Sequence, residues 1–242
     1  MKAIKEAEHF LYIENQFFLS QASEEDNPKN RVAAVIASRI RRAILERKPF
    51  KVYVMIPVIP GSKISGPDGL MTRILSVWEY ASTFRGSHSL VEVLKRENPG
   101  ANIDDYIQFF SLRTHAFQQG SRTMPKASSS AFEGSDADAN EAARPFTEQI
   151  YIHAKSMIVD DRIAFIMSAN LNDRSLAGNR DSEIAVRIED SETVDIKMAG
   201  EDFKASRFVH DYRCHLWCEH LRLPKRFFLP SSSPNSIFFL SS

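Results

Sequence analysis

Tyr151-Ile152-His153-Ala154-Lys155-Ser156-Met157-Ile158-Val159-Asp160-Asp161 is the stretch on which the reading of the fold turns. The run from Ile150 to Val159 predicts a strand, and Asp160-Asp161-Arg162 predicts a tight turn into a second strand, Ile163 to Ala169. Glu183 to Ile188 reads as a further strand. Residues two apart on a strand face the same way, so His153 and Lys155 are expected to project together, as are Ser168 and Asn170. An imidazole with a pKa near ~6.5 can serve as a nucleophile or an acid–base group, and an ammonium stabilises charge on phosphoryl oxygens. Ser168 and Asn170 can donate hydrogen bonds to a phosphate, and Glu183 can hold the other ring nitrogen of His153. Together these residues point toward cleavage of a phosphodiester.

Upstream, Phe10 to Ile13 reads as a strand running into Glu14-Asn15-Gln16-Phe17-Phe18. Val32, Val35, Ile36, Ile40, Ile44 and Leu45 recur at helical spacing, with a basic cluster (Arg39, Arg41, Arg42, Arg47, Lys48, Lys51) around them. Such a cluster is either a wet helix face or a surface for anionic lipid headgroups. Lys51 to Pro57 is a short strand, Pro57 to Gly69 a loop, and Met71 to Arg96 a helix interrupted near Gly86. With a strand at Tyr106 to Leu112, the alternation implies an α/β fold, a layered sheet with helices on both faces. Glu14, Asn15 and Gln16 end a strand, where α/β folds place their sites, so they are either a solvated polar turn or the active-site rim. Glu201 to Leu221 is expected to be a final amphipathic helix. The Ser-, Ala- and Asp-rich segment 118–147 is expected to be a flexible insertion in a lobe spanning 1–223, and 224–242 an unstructured tail.

Lysine plus arginine balance aspartate plus glutamate at 31 each, so bulk charge does not call for nucleic acid as a partner. The beginning of the sequence, Met1 to His9, lacks the apolar centre of a signal peptide, and no apolar run approaches the ~18 residues of a membrane span. A cytoplasmic chain that meets a bilayer only peripherally is the expectation. Cys214 and Cys218, four apart in one helix, are expected to be reduced thiols.

The longer string resembles the second His-x-Lys-x4-Asp motif, or HKD motif, of eukaryotic-type phospholipase D. It runs on through Ser168-Ala-Asn-Leu-Asn-Asp-Arg-Ser175 and Asn179-Arg-Asp-Ser-Glu-Ile-Ala185. Tyr12 to Phe18, Lys51 to Gly61, Asp105 to Arg113 and Leu216 to Leu221 extend the resemblance over nearly all of residues 3 to 223. The resemblance implies one of two lobes whose HKD motifs face each other across a shared site. One histidine would form a phosphohistidine while the other protonates the leaving alcohol, and water would then release phosphatidic acid. His153 matches the histidine that acts as general acid, Lys155 and Asn170 match phosphate-binding residues, and Glu183 matches the residue orienting the histidine. For Glu14, Asn15 and Gln16 the resemblance favours the active-site rim. Asp160 completes the motif, with a structural role as open as a catalytic one. The resemblance calls for no metal or cofactor in the cleavage and leaves calcium or phosphoinositide regulation unspecified. The implied partners are a phospholipid bilayer surface and either a first HKD lobe or a second copy of this chain.

Two departures qualify the resemblance. Met167 stands where the family has glycine, so it either crowds the phosphate pocket or turns into the core. No second His-x-Lys-x4-Asp occurs in the sequence. A silent lobe that binds lipid or pairs with another chain therefore stands as the alternative.

Overall fold

The computed structural model describes residues 1–23, 27–61, 67–118 and 144–223. In chain order its helices are α1 (Lys2–Glu6), α2 (Val32–Glu46), α3 (Pro67–Thr83), α4 (Leu90–Glu97), α5 (Asp173–Leu176) and α6 (Arg207–His220). The strands are β1 (Phe10–Glu14), β2 (Lys51–Met55), β3 (Ile107–Phe110), β4 (Leu112–Gln118), β5 (Arg144–Ile150), β6 (Ser156–Val159), β7 (Ile163–Met167), β8 (Ala185–Ile188), β9 (Thr193–Met198) and β10 (Glu201–Ser206). Six strands form one sheet in the order β3-β2-β1-β6-β7-β8, parallel from β3 to β1 and antiparallel from there on. The pairs β4–β5 and β9–β10 are separate two-stranded ribbons.

Alternation along β1 divides the apolar residues between two cores. Leu11 and Ile13 join Ile4 of α1, seven residues of α2 including Ile36 and Ile40, and Leu90 and Leu94 of α4. Phe10 and Tyr12 point the other way, into a core with Phe203 of β10 and Val209 of α6. Every residue of β1 is buried, which is the pattern of a central strand covered on both sides. The layered α/β sheet with helices on both faces is therefore the observed architecture.

Local chemistry sets the element ends. Helix α2 stops where Arg47 turns left-handed at φ 53° and directs its N–H back to the carbonyls of Ala43 and Ile44. Ser89 caps α4 by accepting the amide of Glu92. The β6–β7 turn places Asp160 and Asp161 at φ 51° each, a conformation short polar side chains tolerate.

That turn supplies two buried anchors. Asp160 accepts the amides of Glu8 (2.6 Å), His9 (2.8 Å) and Phe10 (2.7 Å), pinning the entry to β1. Asp161 receives Arg213 of α6 through Nε (2.6 Å) and Nη2 (2.7 Å), and His210 through Nδ1 (2.9 Å). Burial opposes the charge on Asp161, but the Arg213 guanidinium holds its carboxyl below the usual carboxylate value. Burial likewise opposes protonation of His210, yet the bond to Asp161, with a smaller contribution from Cys214, pushes it up to about 9.

Several sequence expectations need correction. The strand expected from Ile150 to Val159 is broken: β5 ends at Ile150, β6 begins at Ser156, and 151–155 is an irregular crossing between two sheets. The expected helix from Glu201 begins only at Arg207, because Ala199 and Gly200 take positive φ (51° and 88°) and fold β9 onto β10. Most of the expected insertion, 119–143, and the tail from 224 lie outside the described residues. At the insertion's edges, Gln118 and Arg144 to Thr147 pair in the β4–β5 ribbon. The basic cluster is only partly buried, with Arg42, Arg47 and Lys48 exposed. Arg39 is buried and donates to the carbonyls of Ala7 and Glu8, Arg41 pairs with Glu97, Arg42 donates to Lys5 and Ala7, and Lys51 donates to Asp104. Cys214 and Cys218 are free thiols, as expected.

The anchors give two predictions. Asp161→Ala leaves Arg213 buried without its carboxylate and should cost about 3–5 kcal/mol in urea unfolding; a loss below about 1 kcal/mol would remove the pair from the account of the fold. His210 has a raised pKa in the folded chain, so its contribution is complete below its ordinary 6.5 and disappears as pH rises through about 9. The thermal midpoint should fall across that window, and His210→Gln should flatten the fall.

Candidate active site

The carboxyl ends of β1 and β2 open on the same side of the sheet as the start of β6 and the end of β7. The backbone leaves regular structure on either side of the site, at 151–155 and at Ser168. His153 is exposed there, whereas Lys155 is buried at 8% exposure, so the two do not share the strand face that spacing suggested. Instead the Lys155 ammonium curls back, donating to the carbonyl of His153 (2.5 Å) and to Oε1 of Gln16 (3.2 Å). Burial pulls its pKa down from the usual lysine value, partly offset by the charge of Glu183. An ammonium has three N–H donors. Two are committed to these acceptors, which leaves one for a ligand oxygen.

Gln16 also donates through Nε2 to the hydroxyl of Tyr151 (2.8 Å), and that hydroxyl donates to the carbonyl of Pro60 (3.2 Å). The Tyr151 ring lies over the His153 ring, with centroids 6.4 Å apart and planes 26° apart. Gln149 exchanges two hydrogen bonds with the backbone of Ile59. The β2 loop is thus tied to the segment that carries His153.

On the other side, the Ser168 hydroxyl donates to Glu183 and accepts the amide of Ile184 (3.0 Å). Hydrogen bonds from Ser168 and then Ser175 hold the Glu183 carboxyl below its usual range. Ser175 also accepts the amide of Asn170 (3.0 Å). Ser168, Glu183, Ser175 and Asn170 therefore form one connected rim, on which the Asn170 Oδ1 is buried without a hydrogen-bond partner among the described residues. Glu183 is engaged by the two serines, whereas the ring contact of His153 is with Tyr151.

The other expected site residues divide. Asn15 is buried and braces the site from below, accepting the amides of Phe17 (3.2 Å) and Leu171 (3.1 Å) and donating to the carbonyl of Ala169 (3.3 Å). Glu14 lies on the opposite face of β1, where it accepts the Tyr12 hydroxyl at 2.9 Å beside His220. Parity along the strand sends it away from the rim. Asp160 sits at the far end of β6 with both oxygens taken by backbone amides, a structural position. The amide of Met167 donates to the carbonyl of Lys155, which sets the methionine opposite the lysine, and its side chain is half-buried.

Sequence reasoning missed Tyr151, Gln149, Ser175 and Glu79. Tyr151 and Ser175 lay inside quoted motifs, but their bonds depend on loops that spacing does not specify. Glu79 of α3 accepts the amide of Phe18 (3.2 Å), and burial pushes its carboxyl up to about 7. A lone acid on a helix gives no sequence signal of this.

The Phospholipase D family profile matches residues 1–238. Phospholipase D zeta 1 of Arabidopsis thaliana is 44% identical over 222 residues, which are 91% of this chain and 18% of that protein. Phospholipase D A of Dictyostelium discoideum is 39% identical over 92% of this chain and 15% of its own length. For Phospholipase D1 of Saccharomyces cerevisiae the figures are 39%, 91% and 12%. The chain thus spans less than a fifth of each of these three relatives. Among solved structures, NucT from Helicobacter pylori aligns over 91% of this chain and 84% of its own with a TM-score of 0.40 and 12% identity. The profile match over nearly the whole sequence, with the His153–Lys155 constellation at one end of the sheet, shows that the chain belongs to the phospholipase D family.

Proposed function

We propose that this chain is the second, carboxyl-terminal catalytic lobe of a phospholipase D that hydrolyses phosphatidylcholine-like diesters to phosphatidic acid. The observation that carries the reading is the exposed His153, whose backbone carbonyl receives the buried ammonium of Lys155. A proton-transfer group at the mouth and a fixed cation beneath it are what an in-line displacement at phosphorus requires.

In this reading a histidine of a facing HKD lobe attacks phosphorus and forms an N–P bond. The P–O bond to the headgroup alcohol breaks, and the His153 imidazolium gives its proton to that oxygen. Neutral His153 then takes a proton from water as the water oxygen attacks phosphorus. The N–P bond breaks, and phosphatidic acid leaves. The free N–H of Lys155 and the side-chain amide of Asn170 bind the non-bridging oxygens. The Ser168 hydroxyl has its one proton committed to Glu183, so its role is to position Glu183 and the β8 backbone. Asn15 and Gln16 hold the floor and the lysine, and no step uses a metal. The facing lobe is a first HKD lobe or a second copy of this chain, and the substrate is met at a bilayer surface from the cytoplasmic side.

A silent partner-binding lobe is the second reading, favoured by the single HKD motif. Choline release and transfer to a primary alcohol, measured for the full chain alone and mixed with a first HKD lobe, separate the two. Activity is expected at least in the mixture, and His153→Ala should lower it by about 10²–10⁴-fold. Lys155→Ala should lower it by about 10²–10³-fold, mostly in kcat. Turnover that survives His153→Ala would refute the assignment, and no turnover in either setting would favour the silent lobe.

A further inference from the structure

Helix α3 is built inside out. A surface helix normally buries its apolar stripe and exposes its polar one. In α3 the buried side chains are polar: Thr72, Glu79, Ser82 and Thr83, with Glu79 at 6% and Thr83 at 1% exposure. The outer face carries Leu70, Met71, Val77, Trp78 and Tyr80 and continues into Phe84, with Val77 at 65% and Trp78 at 57% exposure. An outward apolar face of this kind marks a contact surface.

The buried polar side of α3 rests on the two segments that shape the candidate site. Thr72 packs against Gly61, next to the Pro60 carbonyl that receives Tyr151. Glu79 accepts the amide of Phe18, whose bridge to Leu171 adjoins Asn170. Val58, in the same β2 loop, and Tyr151, whose ring faces that of His153, are exposed too.

Between residues 70 and 85 the exposed charges are those of Arg73 and Arg85, and the one acid, Glu79, is turned inward. Apolar and aromatic groups flanked by arginine, without exposed carboxylates, suit the headgroup zone of an anionic or zwitterionic membrane. No helix among the described residues is long and apolar enough to cross a membrane, so the contact is one of lying on the surface.

We infer that the outer face of α3, centred on Val77, Trp78 and Tyr80, docks on the phospholipid surface and brings the His153 mouth down to the headgroups. The inference deepens the phospholipase reading and rests on it for the identity of the surface. Trp78 is the reporter, because the other tryptophan, Trp217, lies in α6 on the far side of the sheet beside Arg213. The full chain is mixed with phosphatidylcholine vesicles, with and without phosphatidic acid, whose acyl chains carry bromine as a quencher.

Trp78 fluorescence should be quenched, more strongly with phosphatidic acid present, and Trp78→Phe should remove most of the quenching. Val77→Glu and Tyr80→Glu should each weaken vesicle partitioning by roughly tenfold or more, given the apolar area lost from the contact. These positions are solvent-facing, so the variants should keep the parent's unfolding midpoint, and circular dichroism checks that they do. The docking inference is overturned if folded variants partition like the parent, if Trp78 is not quenched, or if sedimentation shows a vesicle-independent oligomer that shields Trp78. The last outcome would assign the face to protein. His153→Ala should bind vesicles like the parent, so loss of turnover with binding intact counts against the catalytic reading alone.

Discussion

The carboxylate of Asp160 fixes the frame on which the site stands. It collects three consecutive amides from Glu8, His9 and Phe10 as the chain enters β1. Hydrogen bonds to a buried charge are among the stronger ones a protein makes, and three on one group leave the backbone little freedom to slide. Because Asp160 also ends β6, this clamp sets the β1–β6 register: Leu11 opposite Val159, and Glu14 opposite Ser156. Continued one step past the pair, that register sets Asn15 opposite Lys155, next to the Gln16 whose Oε1 accepts the ammonium at 3.2 Å. A slip of one residue would turn each side chain of β1 to the wrong core and part the glutamine from the ammonium. The motif's aspartate thus serves the chemistry from a strand's length away, through geometry.

A second constraint is the balance of polar and apolar burial. Tyr12, Glu14 and His220 gather beneath one face of β1, while Asn15 satisfies three backbone partners at its end. Buried polar groups without partners are costly, and here nearly all are matched within the lobe. The Asn170 oxygen is one of three buried side-chain atoms among the described residues left without a hydrogen bond, and it lies on the rim. Incomplete satisfaction at a rim is compatible with a site completed by another molecule.

Much of this was legible in the sequence because much of it is periodic. The apolar spacing of α2, the runs of β1 and β2, and the double aspartate at the β6–β7 turn each carry a local signal. The site was legible as a set of residues and less so as a geometry. Parity arguments assume a regular strand, and the chain leaves the strand at 151–155, so His153 came out exposed and Lys155 folded back beneath it. Glu14 adjoins Asn15 and Gln16 in the sequence, yet it shares a face of β1 with Tyr12, whereas Asn15 and Gln16 lie beyond the strand's end. The β9–β10 ribbon escaped because the apolar Phe203 stands close ahead of those of α6, and only the left-handed Ala199-Gly200 turn folds 201–206 back onto β9. Contacts such as Tyr151 to Pro60 and Glu79 to Phe18 join residues distant in sequence, and no local pattern encodes them.

The cluster of Asp161, Arg213 and His210 has a consequence for how this sequence can vary over time. One carboxylate serves two cations contributed by successive turns of α6, with the guanidinium resting on the rings of Trp217 and Phe10. Replacing Asp161 or Arg213 alone passes through a form with a buried charge lacking its counterpart. An apolar set of similar volume is a workable substitute only once all the charged members have changed. Descent by single substitutions is therefore confined on this face of the molecule. Asp161 and Arg213 are expected to be inherited together, even though neither approaches the histidine that gives the sequence its signature.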